Sequence, residues 1–315
     1  KKSDVILHNF RAGVVDRLGL DYESVRAINP SIVYTVISGY GAKGPRSADP
    51  AYDGAVQAAA GMMANNGTAE SGPLRTGYMP VDLMTGMTAA YATTAALLRK
   101  QKTGEGQMVD VAMLDCAITL GSANFSRSEV DDIPDMLIGN QSITSAPTAS
   151  SFPTAEGSIL TAAIMPKHVE AFFDEIGLKE MLSDPKFATR EARIENKEIV
   201  RDAMIEALKS DTAENWEKRL APRGVPVAKI NSVKETARLE QLQYRNILTA
   251  VPAAKGMATG YKLPGAPFTN SEDGPEVMRP APVLGQHTLE ILEEIGIEKS
   301  IISTLAAEGV ICKDD

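Results

Sequence analysis

The apolar residues of this chain fall into short runs near the start and longer helical patterns after them. Val5-Ile6-Leu7 is an apolar run too short for a helix and predicts a strand. Tyr22 to Ile28 carries helical spacing and stops at Asn29-Pro30, where proline disfavours continuation. Ile32 to Ile37 is β-branched and aromatic and breaks at Ser38-Gly39-Tyr40-Gly41, a second strand. Two strands separated by a helix predict a parallel sheet with a crossover. Ligands of such sheets sit beyond the carboxyl ends of the strands. That places Asn9-Phe10-Arg11 and Ser38 to Gly41 on the functional edge.

Further along, Ala55 to Met63 predicts a Gly/Ala-rich helix, and the polar Asn65 to Gly77 a loop. A long helix is predicted over Leu83 to Lys100. Leu83, Met87, Tyr91 and Leu98 fall near one face, and the alanines at 89, 90, 92, 95 and 96 permit close packing. Met108 to Met113 reads as another strand. Ser122 to Ser151 is rich in Ser, Asn, Thr and Pro and reads as a linker. Charged helices follow at Asn196 to Lys209 and Ala213 to Leu220, and Thr288 to Ala307 reads as two amphipathic helices split near Gly296. The sequence shows no internal repeat.

The chain has 315 residues, room for about two domains, with 43% hydrophobic and 23% charged residues. Its net charge of −9 argues against nucleic acid or an anionic membrane as a general partner, and no apolar run nears the ~18 residues that would span a bilayer. Cys116 and Cys312 give no disulfide framework and no metal-ligand spacing, so a reducing, cytoplasmic setting is the expectation. His8, His168 and His287 make no metal pair. There is no G-x-S-x-G, G-x-G-x-x-G or Walker loop. The chain begins Lys1-Lys2-Ser3-Asp4 without Met and enters a strand at once, which suggests missing upstream sequence.

Asp82 stands just before the long helix, in Met79-Pro80-Val81-Asp82-Leu83-Met84-Thr85-Gly86. One reading makes it an N-cap that accepts from the N–H of Met84 or Thr85. The other uses the same physics: free N–H groups and the positive helix end keep the carboxylate ionised and oriented, as a covalent nucleophile requires. Asn9-Phe10-Arg11 and Arg17 are either a solvated loop with surface cations or a place for a phosphate and an adenine ring. Tyr52-Asp53 either packs in the core or lines a pocket.

Taken together these segments resemble the class III coenzyme A transferases, the superfamily of formyl-CoA transferase, carnitine CoA-transferase and the α-methylacyl-CoA racemases. The resemblance rests on Asp4-Val5-Ile6-Leu7-His8-Asn9-Phe10-Arg11-Ala12-Gly13, Ile37-Ser38-Gly39-Tyr40-Gly41, Pro50-Ala51-Tyr52-Asp53 and Val81-Asp82-Leu83-Met84-Thr85-Gly86. It continues through Lys102-Thr103-Gly104-Glu105-Gly106-Gln107, Gly139-Asn140 with Ala146-Pro147, Arg223-Gly224-Val225-Pro226 and Ala281 to Thr288. It implies an α/β fold: a Rossmann-like large domain with a parallel sheet plus a smaller α/β domain, in an interlocked homodimer. The large domain would take residues 1–120, a linker 121–151, the small domain 152–245, and the chain would return to the large domain over 246–315. An upstream segment of about 80–90 residues would be absent, a length within ordinary domain arithmetic.

The implied activity moves CoA between an acyl-CoA thioester and a carboxylic acid. Asp82 would be the nucleophile, Asn9, Phe10 and Arg17 would line the CoA site, and Tyr52 would neighbour the reacting carbonyl. CoA would be a substrate, with no permanently bound cofactor and no metal. Two alternatives stay open: an acyl-CoA racemase, whose branch carries His-Asp where Tyr52-Asp53 stands, and a non-catalytic fragment or subunit. Pro50 stands where some relatives carry a CoA-contacting Lys. The region from Gly139 to Phe152 has Ser, Thr and Ala where the formyl-CoA branch has a glycine-rich loop, which disfavours formate and oxalate as substrates.

Overall fold

The computed structural model describes residues 3–274 and 279–311. Lys1, Lys2 and Cys312 lie outside the described residues. The chain divides into two compact units, Lys1–Lys229 and Ile230–Asp315.

The first unit opens on β1 (Val5–His8), α1 (Tyr22–Ile28) and β2 (Val33–Ser38), with β1 and β2 parallel as the crossover pattern requires. Asp21 caps α1 by accepting the Ser24 N–H at 3.1 Å, and Asn29 before Pro30 ends it in an extended conformation. After α2 (Asp53–Ala59) and α3 (Pro80–Thr103), β3 (Gln107–Ala112) adds to the other side of β2, giving the parallel order β1-β2-β3. The helix α4 (Met113–Leu120) follows directly. The central strand β2 is buried at Val33, Tyr34, Thr35 and Val36 in succession, the pattern of a strand covered on both faces.

The long helix α3 packs the opposite way from its apolar pattern. Its buried residues are Val81, Thr85, Ala89, Thr93 and Ala96. Leu83, Met87, Tyr91 and Leu98 are exposed. Small side chains let the helix axis approach the sheet closely, and large ones on that face would hold it away. At the contact, the Thr35 and Thr93 hydroxyls lie 2.7 Å apart in a buried hydrogen bond. Thr93→Val keeps the shape and strands the Thr35 hydroxyl, so chemical denaturation should read a stability loss of about 1–3 kcal/mol.

The rest of the first unit is built around a three-stranded antiparallel sheet of Ser151–Pro153, Ser158–Thr161 and Val227–Lys229. The helices Pro166–Glu175, Lys197–Leu208 and Ala213–Leu220 bury Phe172, Phe173, Met204, Trp216 and Leu220 in one cluster with Phe152 and Ile159. The indole of Trp216 donates to the Leu208 carbonyl at 2.9 Å, so its one polar atom is satisfied inside the core. Within the stretch read as a linker, Ser122–Asp131 is helical and Thr148 and Ser150 are buried. The second unit holds the antiparallel pair Leu248–Val251 and Tyr261–Pro264 and the two predicted helices, Thr288–Glu294 and Lys299–Ala307.

Candidate active site

All three parallel strands end at one cleft of about 490 Å³. Asn9 to Ala12 follow β1, Ile37 to Gly39 close β2, and Met113 follows β3. Ser47, Asp49, Ala51 and Tyr52 come from the loop after β2, and Asp82, Thr85 and Gly86 from the first turns of α3. The structure therefore brings together Asn9, Phe10, Tyr52 and Asp82, four of the five residues singled out from the sequence. Arg17 lines neither this cleft nor its neighbour. It ends the short helix Val14–Arg17, with its guanidinium close to Gly13.

The loop that carries Tyr52 is fixed from several sides. The Gly41 N–H donates to Ser38 Oγ at 3.0 Å, and the Ala42 N–H to Asp110 Oδ2 at 2.9 Å. Arg46 stacks 3.8 Å over the Tyr40 ring and pairs with Asp49 at 2.8 Å. Tyr52 itself is 80% exposed.

Asp82 is not the N-cap of α3. The helix begins at Pro80, which needs no N–H partner at its first position, and Met79 is the cap residue without a side-chain bond. The free N–H groups of Val81 and Asp82 donate instead to Asp53 Oδ2, at 2.9 and 3.0 Å. A residue from another helix thus caps α3, which releases the Asp82 carboxylate to face the cleft. The expectation that the helix end keeps Asp82 ionised meets an opposite influence. Asp82 is exposed to the cleft, and the partial desolvation of its carboxyl there, then the negative charge of Asp53, hold it above its ordinary value. Sequence reasoning gave Asp53 no role of its own. Its place in the Pro50-Ala51-Tyr52-Asp53 segment was the available signal.

A second cleft of about 350 Å³ adjoins the first and shares Phe10, Arg11, Ala12 and Ser38 with it. Tyr22, Tyr34, Lys43 and His8 also line it. The His8 ring lies near-parallel to Phe10 at 5.8 Å and edge-on to Tyr34 at 5.4 Å. Burial lowers its pKa, so His8 is neutral at pH 7 and adds no charge to this cleft. Arg11 is the only basic side chain on the first cleft among the described residues, and it lies where the two clefts meet. No group of His, Cys, Asp and Glu among the described residues is arranged to hold a metal ion, and no described helix is long and apolar enough to cross a membrane.

The parallel strands ending at one cleft beside a helix-borne carboxylate make this an α/β protein with a ligand site at the carboxyl edge of its sheet, and comparison with known proteins gives the family. Residues 1–288 match the family model described as CoA-transferase family III, and the chain belongs to that family. It is 32% identical over 297 residues to an acetyl-CoA:oxalate CoA-transferase of Acetobacter aceti, covering 93% of this chain and 74% of the relative. It is 30% identical to a succinate–glutarate CoA-transferase of Agrobacterium fabrum, covering 94% and 73%. Among solved structures, a CAIB/BAIF family protein from Brucella suis superposes with a TM-score of 0.81 at 26% identity, covering 93% of this chain and 76% of that one. These relatives make the chain an α/β enzyme of the CoA-transferase class.

Proposed function

We propose that this chain transfers CoA between an acyl-CoA and a carboxylic acid through a covalent intermediate on Asp82. The observation that carries the reading is the Asp82 carboxylate, which has no hydrogen-bond partner among the described residues and faces the cleft where β1, β2 and β3 end. A carboxylate that is held above its ordinary pKa is also a stronger nucleophile once ionised.

An Asp82 oxygen attacks the thioester carbonyl, the C–S bond breaks, and CoA leaves as a thiolate with the acyl group held as an aspartyl anhydride. The thiolate then attacks the Asp82 carbonyl carbon. The donor acid departs as its carboxylate, and Asp82 carries CoA as a thioester. The acceptor carboxylate reverses these steps. Each exchange is split into displacements that need no metal and no net proton.

For the nucleotide end of CoA the second cleft offers Arg11 and Lys43 to phosphates and the Phe10 and Tyr22 rings to a base, with the carboxylates of Asp16, Asp21 and Glu23 on the same lining. Short dicarboxylic acids are the acceptor class to test, succinate and glutarate first, since a similar enzyme is named for both and the Gly139 to Phe152 region disfavours oxalate. The exposed Leu83, Met87, Tyr91 and Leu98 of α3 support a second copy as their cover, in a homodimer.

The test is incubation with succinyl-CoA and hydroxylamine, followed by peptide mapping. A hydroxamate on Asp82 is the expected product. Full exchange with no label on any carboxyl would refute the covalent route. Loss of an α-hydrogen to deuterated solvent without CoA transfer would favour the racemase reading, which Tyr52 disfavours because a base is required at its position.

A further inference from the structure

The turn that presents Asp82 is held from outside its own helix. Asp53 is 6% exposed and forms no ion pair among the described residues. Its Oδ2 accepts the two N–H groups of the α3 turn, and its Oδ1 accepts from Gln57 Nε2 at 2.5 Å. Gln57 is 1% exposed and is itself fixed at both ends of its amide. Its Nε2 donates to Thr76 Oγ1 at 3.0 Å and its Oε1 accepts the Thr76 N–H at 3.0 Å. Thr76 in turn donates to the Tyr78 carbonyl at 2.9 Å. A continuous chain of bonds therefore runs from the residues before α3, through the buried side chains of α2, to the backbone of Asp82.

A neutral Ser, Thr or Asn would cap this helix without placing a buried charge next to a second carboxylate. What distinguishes Asp53 from an ordinary cap is that it is buried and caps a helix other than its own, beside a second carboxylate. We propose that Asp53, braced by Gln57 and Thr76, is a positioning residue for the nucleophile: it fixes the first turn of α3 and lends Asp82 the electron-rich surroundings that strengthen its attack. The inference rests on the reading of Asp82 as the nucleophile.

Other charges face Asp82 too. Arg11, Asp49 and Tyr52 share its cleft. Among the described residues Arg11 forms no ion pair with Asp82, and Asp49 is paired with Arg46 at 2.8 Å, so Asp53 is the charge that bears on the Asp82 carboxyl. Removing the Asp53 charge takes away one of the two influences that hold the Asp82 carboxyl up, leaves partial desolvation as the other, and so makes Asp82 easier to ionise.

The experiment is a pH profile of kcat and KM for CoA exchange in the wild type and three variants. Asp53→Asn keeps an oxygen for the two N–H groups, removes the charge, and replaces the acceptor for Gln57 Nε2 by a second donor. It should lower kcat about tenfold with little change in KM, and move the acid limb of the profile to lower pH. Asp53→Glu keeps the charge and should keep the limb at its wild-type pH. Thr76→Val loosens the far end of the chain with no change of charge, so kcat should fall while the limb stays. Wild-type kcat and an unmoved limb in Asp53→Asn would overturn the proposal. Should that variant not fold, a wild-type kcat in Thr76→Val overturns it equally. Asp82→Ala run in parallel separates the two readings. If Asp82→Ala still exchanges CoA, the nucleophile assignment fails. If it is inactive while Asp53→Asn matches the wild type, only the positioning role fails.

Discussion

Asp82→Ala should lower CoA exchange by about 10³-fold or more while leaving the protein folded. Its side chain is exposed and makes no bond that holds the fold, so the loss would be chemical. Asp82→Asn sharpens the point, since it keeps the shape and removes the nucleophilic charge. The direction of the pKa shift adds a second signature. Asp82 titrates above its unfolded value, so the ionised form is the less favourable one in the folded chain. Its contribution to stability is fully present below the ordinary carboxylate value and is lost as pH rises through the raised one. At neutral pH the Asn variant should therefore melt no lower than the wild type, and slightly higher. At acid pH, where Asp82 is neutral in both states, the difference should vanish. Exchange assays with paired melts at the two pH values read both effects. An active Asp82→Ala would remove the basis of the proposed function.

The combination of lost activity and unharmed stability is the mark of a residue kept for chemistry. The site also explains how the chemistry would be protected. Tyr52 is 80% exposed and Phe10 51%, so the cleft is open to water when empty. An anhydride there would be shielded by what occupies the cleft, chiefly the bound CoA. Acyl-CoA hydrolysis without acceptor should accordingly be faster for truncated thioesters than for the full coenzyme.

The parallel core was readable because β-branched runs and a proline-stopped helix are local signals. β1, α1 and β2 lie within a residue or so of their predicted bounds. Two features were not readable, for physical reasons. The first is the buried face of α3. Apolar periodicity selects Leu83, Met87, Tyr91 and Leu98, but the contact with the sheet is set by how closely two backbones approach, and that favours Ala89, Thr93 and Ala96. The second is the cap of α3. Asp82 has the residue type and the position that local rules reward, yet its N–H is satisfied by Asp53, a residue of another helix. Local patterns cannot report a bond made across the fold. The assignment of Asp82 as the candidate nucleophile comes from the resemblance, because one Asp at a helix start carries no distinguishing signal.

Gly39→Ala should reduce kcat/KM about 10²-fold, the loss that a misplacement near 1 Å can produce, and destabilise the chain by about 1–3 kcal/mol. A Cβ at position 39 would stand 2.2 Å from the Cβ of Ala51, and neither atom belongs to a flexible side chain. The Gly39 carbonyl also accepts the Leu114 N–H at 3.0 Å, which ties this turn to α4. Relief must come from the end of β2 or from the segment Ala51-Tyr52-Asp53. Movement of that segment displaces the Tyr52 wall of the cleft. Through the bonds from Asp53 to Val81 and Asp82, it also tilts the turn that carries Asp82. Because the clash is between two methyl groups, it can be undone. Ala51→Gly in the Gly39→Ala background restores the space and should return most of the activity, a coupling that a double-mutant cycle measures directly. If the double variant is no better than the single one, the close approach of these two loops does not set the geometry of Asp82.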